Sequence, residues 1–355
     1  MNIVIEEVSS VDFTTELQTE TFLYHTNIWN EFITKSFSFK NDQQCFIIAK
    51  DQDTQEIKTV LPITKVKSII FGNRIISTGY QEYGGMVGDQ KFLSQILDFI
   101  KKKYQNEFQN LIINGSIDKE NNPKNSTKIN RYNIIKKESV KRFVLKLTDE
   151  ETLWKNIQKS KRKAINKARK NCTCRELTIQ DLNPLYKLYL QNMRRFGSPP
   201  YSKNYFSNFF QLIQKNNQGR VYGCFKENKL ISALLGFTHN KTIHITTAIS
   251  NPKFSSYRPS DLMHWEFISW ATKNGFESFD FGVVREASGH FEYKRKWGGE
   301  LSNLPTFYMN LKSKSIPEQL DPNSSKYKLA IKIWQHLPLK VTEWMGMRLR
   351  RELGI

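Results

Sequence analysis

Two runs rich in β-branched residues, 44–51 (QCFIIAKD) and 57–67 (IKTVLPITKVK), flank a short polar DTQE segment, a pattern that predicts a β-hairpin. The run NRIISTGYQEYGGMVGD then reads as a strand leading into a Gly-rich turn at Gly84, Gly85 and Gly88. In KFLSQILDFIKKKY, Phe92, Ile96, Phe99 and Ile100 recur at helical spacing, and a short apolar strand follows from Leu111 to Ile113. The second half repeats this order. Strands are predicted at 219–226, 230–237 and 242–249, a helix at 260–274 and a strand at 276–281.

Repetition of hairpin, strand, helix and strand predicts an internal duplication: two α/β domains of one fold, each a mixed α+β sheet flanked by helices. The expected boundaries are 1–147 for the first domain, 148–315 for the second and 316–355 for a basic helical tail. The second domain should open with Thr148 as N-cap of one long helix, ETLWKNIQKSKRKAINKARKN. On that helix Leu153, Ile157, Ala164 and Ala168 form an apolar stripe, and Lys159, Arg162, Lys163, Lys167, Arg169 and Lys170 form a cationic ridge opposite. Such a ridge is either a solvated face or an anion-binding surface. In the tail, Tyr327, Ala330, Ile331, Trp334 and Leu337 make one stripe, which either docks on the protein body or lies on a membrane surface. Residues 339–352 give no clean second stripe, because Arg348 falls among their apolar positions.

Charge changes the picture more than composition does. Lys and Arg total 54 against 34 Asp and Glu, a net charge of +20 that favours an anionic partner. The four cysteines, Cys45, Cys172, Cys174 and Cys224, include no Cys-x-x-Cys pair and suggest neither a zinc site nor a disulfide framework. The N-terminus lacks a basic segment followed by an apolar run, and no stretch of 18 apolar residues occurs. A cytoplasmic protein is expected, with a peripheral position at the inner face of the membrane if the tail binds lipid.

No Walker loop, HExxH, GxSxG or GxGxxG is present. The densest constellation is GFESFDFGVVREASGHFEYKRKWGGE, residues 275–300. There Asp280 is expected to end a strand, Arg285 and Lys294 to Lys296 place cations beyond it, and Trp297-Gly298-Gly299 permits close backbone approach. A developing oxyanion would find Lys or backbone N–H donors here, with the segment around Lys294 read as strand-like.

Five segments in order resemble the Fem-type peptidyltransferases within the tandem acetyltransferase-fold (GNAT-like) acyltransferases. They are Trp154 with Lys161-Arg162-Lys163-Ala164-Ile165 and Lys167-Ala168; Met193-Arg194-Arg195-Phe196-Gly197; Arg258-Pro259 with Leu262 and Trp265; Phe279-Asp280-Phe281-Gly282; and Tyr293-Lys294-Arg295-Lys296-Trp297-Gly298-Gly299. Residues 150–300 carry most of the likeness, and Trp29 and Tyr83-Gly84-Gly85 add to it in the first half. The resemblance implies two tandem GNAT-like domains and transfer of an amino acid from aminoacyl-tRNA to an amine of an anionic cell-envelope precursor. It implies that Tyr293 and Lys294 lie at the transfer centre and that Arg195, less securely Arg194, binds precursor phosphates. On the reading of the residues themselves, Lys294 is expected to stabilise the oxyanion and Asp280 to position it or the amine, and the further expected substrate contacts are Lys161, Arg162, Arg258, Arg285, Trp29, Tyr83 and Trp297. The chain departs from the family where Trp29 is followed by Asn30-Glu31-Phe32-Ile33 rather than a lysine, and it lacks a long helical arm.

The donor stays open at this point. Acyl-CoA enzymes cradle pyrophosphate in a Gly-rich loop at a helix N-terminus. The equivalent run here, Phe254 to Asp261, holds no glycine, although its serines and Arg258 supply donors. The favoured reading is therefore an aminoacyltransferase with no tightly bound cofactor and no metal. The alternatives are an acyl-CoA-dependent N-acetyltransferase of a sugar or polysaccharide amine, and a non-catalytic module that holds RNA or anionic lipid.

Overall fold

The computed structural model describes residues 2–13, 17, 21–38, 43–115, 131–284, 289–312 and 325–354. The chain divides into two compact units, one formed by residues 1–139, 304–324 and 348–355 and the other by residues 140–303 and 325–347.

In the first unit, β1 (Ile3–Val8), β2 (Gln44–Asp51), β3 (Ile57–Val66) and β4 (Arg74–Ile76) pair in antiparallel sequence, and a short β5 (Val87–Gly88) also joins β3. Strand β6 (Asn110–Asn114) runs parallel to β4. Helix α1 (Asn27–Phe37) lies in the chain between β1 and β2, and α2 (Leu93–Tyr104) lies between β5 and β6. Helix α2 buries Leu93, Ile96, Leu97, Ile100 and Tyr104, the i, i+3, i+4, i+7 face that an amphipathic helix turns to a sheet. The core around it includes Ile47, Leu61, Ile75, Leu111 and Met309.

The second unit repeats the plan. Strands β8 (Thr173–Glu176), β9 (Gly219–Lys226), β10 (Lys229–His239) and β11 (Thr242–Ser250) are antiparallel in turn, and β12 (Ser278–Val284) runs parallel to β11. Helices α5 (Leu182–Phe196) and α6 (Lys203–Asn208) fall between β8 and β9, and α7 (Pro259–Lys273) falls between β11 and β12. The parallel pair in each unit needs a crossover, and α2 and α7 supply it. Each unit closes with an antiparallel strand on the far side of that pair. In the second unit the closing strand is residues 141–146 of β7 (Ile135–Lys146) on β12, and in the first it is residues 306–310 of β13 (Glu300–Asn310) on β6.

Strand β7 follows β6 in the chain yet closes the other unit's sheet, and β13 returns to close the first. The division consequently differs from the 147/148 and 315/316 boundaries read from the sequence, where each domain was taken as one continuous stretch. The residues of the expected tail are likewise shared, 325–347 with the second unit and 348–355 with the first.

The long helix expected from residue 150 is two helices, α3 (Glu150–Asn156) and α4 (Lys159–Arg169), because Ile157 and Gln158 adopt extended backbone with ψ of 147° and 145°. Asp149, not Thr148, caps α3 by accepting the Thr152 N–H at 2.8 Å. In the second unit, helix α9 (Ser325–His336) docks on the C-terminal end of α5. Gln335 donates to the Arg195 carbonyl at 2.7 Å, Trp334 is buried, and Ile331 covers Gly197. Gly197 is the left-handed cap of α5 with φ of 70°, and a Cβ there would lie 2.5 Å from Ile331 Cγ2. Gly197→Ala should therefore lower stability by about 1–2 kcal/mol from backbone strain alone, read by urea unfolding. It should also speed proteolysis within 325–347, and an unchanged cleavage rate would show that α9 docks without this contact.

Candidate active site at a divided strand pair

Strands β11 and β12 pair over Thr242–His244 and Ser278–Asp280 only. Beyond that point each carries an irregularity on its other edge: β11 slips against β10 at Thr246, and β12 slips against β7 between Asp280 and Val283. Asp280 thus lies inside β12 rather than at its end, with Gly282 in the bulge at φ of 74°. A side chain at 282 would meet the Ile245 carbonyl oxygen at 2.5 Å, so only glycine fits. The Thr246 hydroxyl is buried with no hydrogen-bond partner among the described residues.

The bulge is gripped from both sides. Fully buried Asp280 accepts the Gly282 N–H at 2.8 Å and the Arg142 Nε–H at 2.6 Å. Lys294 Nζ donates to the carbonyls of Gly282 at 3.0 Å and Val283 at 2.9 Å. Lys294 sits in a helix, α8 (Gly289–Arg295), not in the strand-like segment expected. Lys296 falls in the turn just after α8, so the strand alternation that would put it on the Lys294 side does not apply.

Beneath α8 lies a buried charge cluster. Lys161, only 4% exposed, puts Nζ 2.6 Å from Asp261 Oδ1 and 3.2 Å from the Tyr293 ring centroid, with Trp297 at 4.9 Å. Burial, opposed by Asp261, lowers the Lys161 pKa to about 8. His264 Nδ1 lies 2.7 Å from the Ser260 carbonyl and must carry the proton that bonds it. Burial and a hydrogen bond to Asp261 push the Tyr293 phenol well above its ordinary range. His264 and His244 are both driven down to about 4 by burial, so both are neutral near pH 7.

The structure therefore gathers Lys161, Tyr293, Trp297, Lys294 and Asp280 in the second unit, but several expected substrate contacts are otherwise engaged. Lys161 faces Asp261 in the interior instead of an anion in solvent. Arg162 donates to the carbonyls of Trp154, Lys155 and Ile157 and so caps the end of α3. Arg194 reaches the Leu337 carbonyl at 3.4 Å, and Arg195 the Asn192 side chain at 2.7 Å while remaining exposed. Trp297 is buried in the core of the unit. Arg258 is exposed in left-handed backbone just before α7. Trp29 and Tyr83 are buried within the first unit, and Arg285 lies outside the described residues. Asp261, His264 and Arg142 were given no role from the sequence, and Gly282 entered only as the last residue of the Phe279–Gly282 segment. The signal for the first was a carboxylate in the opening turn of a predicted helix, but its partner is 100 residues away.

Among the described residues no group of three or more His, Cys, Asp or Glu side chains is placed to hold a metal. The N-terminus of α7 is a poor phosphate cradle. Pro259 has no N–H, the Asp261 and Leu262 N–H groups turn to the Arg258 carbonyl, and the Asp261 carboxylate occupies the first turn.

Residues 155–295 match the family model described as acetyltransferase (GNAT) domain. With the repeated sheet and the divided strand pair, this defines the class of fold: residues 155–295 form a GNAT domain, and the chain has the tandem GNAT fold. Its fold is that of FemX, which is 12% identical, with 86% of this chain and 97% of that one covered and a TM-score of 0.65. L-PGS from Bacillus licheniformis is 11% identical over 83% of this chain and 90% of its own, with a TM-score of 0.50. A tandem GNAT protein from the clavulanic acid biosynthesis pathway is 8% identical over 88% of this chain and 100% of its own, also at 0.50. The Fem-type arrangement read from five short segments thus reappears as shared fold, at identities that show fold alone. No curated protein matches the chain.

Lys161→Met should destabilise the protein by about 3–5 kcal/mol because it strands a buried Asp261 carboxylate, whereas Lys161→Met with Asp261→Leu should be nearly neutral. Equal losses in denaturant melts would contradict the pairing. A second expectation concerns acid. The unfolded imidazoles take up protons near the ordinary value of 6.5, while folded His244 and His264 resist until about 4. Their contribution to stability is complete above pH 6.5 and is lost as pH falls toward 4, by up to about 3 kcal/mol per imidazole. His244→Asn and His264→Asn should each flatten the slope of stability against pH in that window, and an unchanged slope would show that neither group is the source.

Proposed function

We propose that the second unit transfers an aminoacyl group from aminoacyl-tRNA to an amine of an anionic cell-envelope precursor or peptide. The observation that carries this reading is the N-terminus of α7, where a coenzyme A pyrophosphate would need free N–H groups. Pro259 there has none, and the Asp261 and Leu262 N–H groups are taken by the Arg258 carbonyl. An aminoacyl ester makes no such demand on α7. The exposed cations Lys159, Lys163 and Lys167 on α4 suit a polyanion instead.

In this reaction the acceptor amine attacks the ester carbonyl carbon, a C–N bond forms, the C–O bond to the ribose breaks, and the amine proton passes to the departing ribose hydroxyl. The charge that develops on the carbonyl oxygen is met by the Lys294 ammonium, which the Gly282 and Val283 carbonyls hold at the opening between β11 and β12. Tyr293 walls the site and fixes the helix that carries Lys294. Asp280 holds Arg142 and the bulge rather than the amine. The acyl-CoA alternative, with a sugar or polysaccharide amine as acceptor, draws support from the matched domain family.

Aminoacyl-tRNA and acetyl-CoA should be offered in parallel with amine acceptors, and the acceptor mass measured. An aminoacyl increment supports the proposal, an acetyl increment establishes the alternative, and no increment with salt-dependent RNA binding points to a non-catalytic module. Lys294→Met should keep the fold and slow single-turnover transfer by on the order of 10²–10³. Arg295→Gln, which removes only the exposed pair with Glu292, should leave the rate unchanged. Equal rates for wild type and Lys294→Met would remove the oxyanion role.

A further inference from the structure

Three of the four cysteines meet in the second unit, where β8 pairs with β9. Cys174 on β8 is the register partner of Cys224 on β9. Cys172 and Cys224 lie in the core of that unit, and Cys174 packs against the same core while staying half-buried. Local spacing hid the cluster, because the third thiol comes from β9 and not from the Cys172–Cys174 segment.

The rung that the pair occupies decides how close its sulfurs come. Leu177, just past β8, donates its N–H to the Val221 carbonyl at 2.7 Å. These two residues continue the Cys174–Cys224 register by three rungs, and antiparallel rungs alternate between hydrogen-bonded and open pairs. Cys174 and Cys224 thus form an open pair, with Cα atoms about 4.5 Å apart and side chains drawn together. A disulfide spans about 4.4–6.8 Å between Cα atoms, so this rung admits one at its short limit. Bridges away from the relaxed geometry are strained and reduce readily. A cavity of about 290 Å³, lined by Thr173, Cys174, Arg175, Phe225 and Asn228, gives a small oxidant a place beside Cys174. The Cys224 thiol is raised by its hydrogen bond to Cys174 and by burial, and burial pushes the Cys172 thiol up to about 11. Both inner thiols therefore stay protonated near pH 7, and oxidation starts at half-buried Cys174.

We propose that Cys174 and Cys224 form a reversible disulfide when the protein meets a peroxide, which makes this sheet edge a site of oxidative modification. The Cys174 thiolate attacks one peroxide oxygen, an S–O bond forms, the O–O bond breaks, and the departing hydroxide leaves as water with the thiol proton. The Cys224 sulfur then attacks the Cys174 sulfenic acid. An S–S bond forms, the S–O bond breaks, and a second water carries off the Cys224 proton. Two thiols are oxidised to one disulfide, and one peroxide is reduced to two waters. The bond ties β8, which ends the strand order, to β9. None of these thiols takes part in the proposed transfer, so the test needs neither donor nor acceptor.

The full chain should be treated with hydrogen peroxide, blocked with iodoacetamide and digested with trypsin, which frees residues 171–175 and 221–226. These peptides are expected as one linked species, two hydrogens lighter than the pair, which dithiothreitol separates. Cys174→Ser should slow the linkage roughly tenfold or more, because the half-buried thiol starts the reaction. Cys172→Ser and Cys45→Ser should leave it nearly unchanged. Thermal midpoints confirm that each variant is folded. Oxidised wild type should also exchange its β8 amides more slowly than the reduced chain. Sulfinic or sulfonic acid at Cys174 without linkage, a bridge confined to residues 171–175, or wild-type linkage in Cys174→Ser would each overturn the proposal.

Discussion

The buried ion pair between Lys161 and Asp261 is the constraint on which the second unit's site depends. Neither charge is stable alone in that interior, so each fixes the other. Through the pair, α4 is bound to the first turn of α7, and the ammonium also seats the Tyr293 ring at 3.2 Å. Tyr293 precedes Lys294, so the placement of the pair passes by one residue to the ammonium at the strand opening. One interaction therefore positions the proposed oxyanion donor.

Above that cluster the backbone does the shaping. Parallel strands β11 and β12 would normally stay paired, but irregularities on both outer edges part them after His244 and Asp280. Gly282 tolerates the resulting left-handed turn against the Ile245 carbonyl, and Asp280 with Arg142 keeps the bulge from slipping. A divided pair leaves backbone groups of the two strands without the cross-strand partners that an intact sheet would supply. The two buried imidazoles near it, His244 and His264, are neutral near pH 7.

Much of this was legible in residue order, because β-branched runs and amphipathic spacing report local structure. The strands 219–226, 230–237 and 242–249 and the helix near 260–274 fall where the pattern put them. What escaped was long-range. The exchange of β7 and β13 between units leaves no local trace, so boundaries drawn along the chain missed it. Lys161 looked like one more cation in a basic run, and only its carboxylate 100 residues on shows that it faces inward. Arg162 likewise reads as a phosphate ligand until three nearby carbonyls are seen around it. Trp29 and Tyr83 carried weight as binding residues by resemblance, yet both lie in a core, where large aromatics most often belong.

Hydrogen exchange across residues 289–297 tests the central dependence most directly, in a variant where Lys161→Met and Asp261→Leu replace the charged pair with apolar groups of similar volume. Because the fold should survive, amides of β9 and β10 are expected to keep wild-type protection. Those of α8 should exchange faster as Tyr293 loses its cation and Lys294 its fixed position. Wild-type protection throughout 289–297 would contradict the account, since α8 would then be held by packing alone and the buried pair would have no hand in placing Lys294.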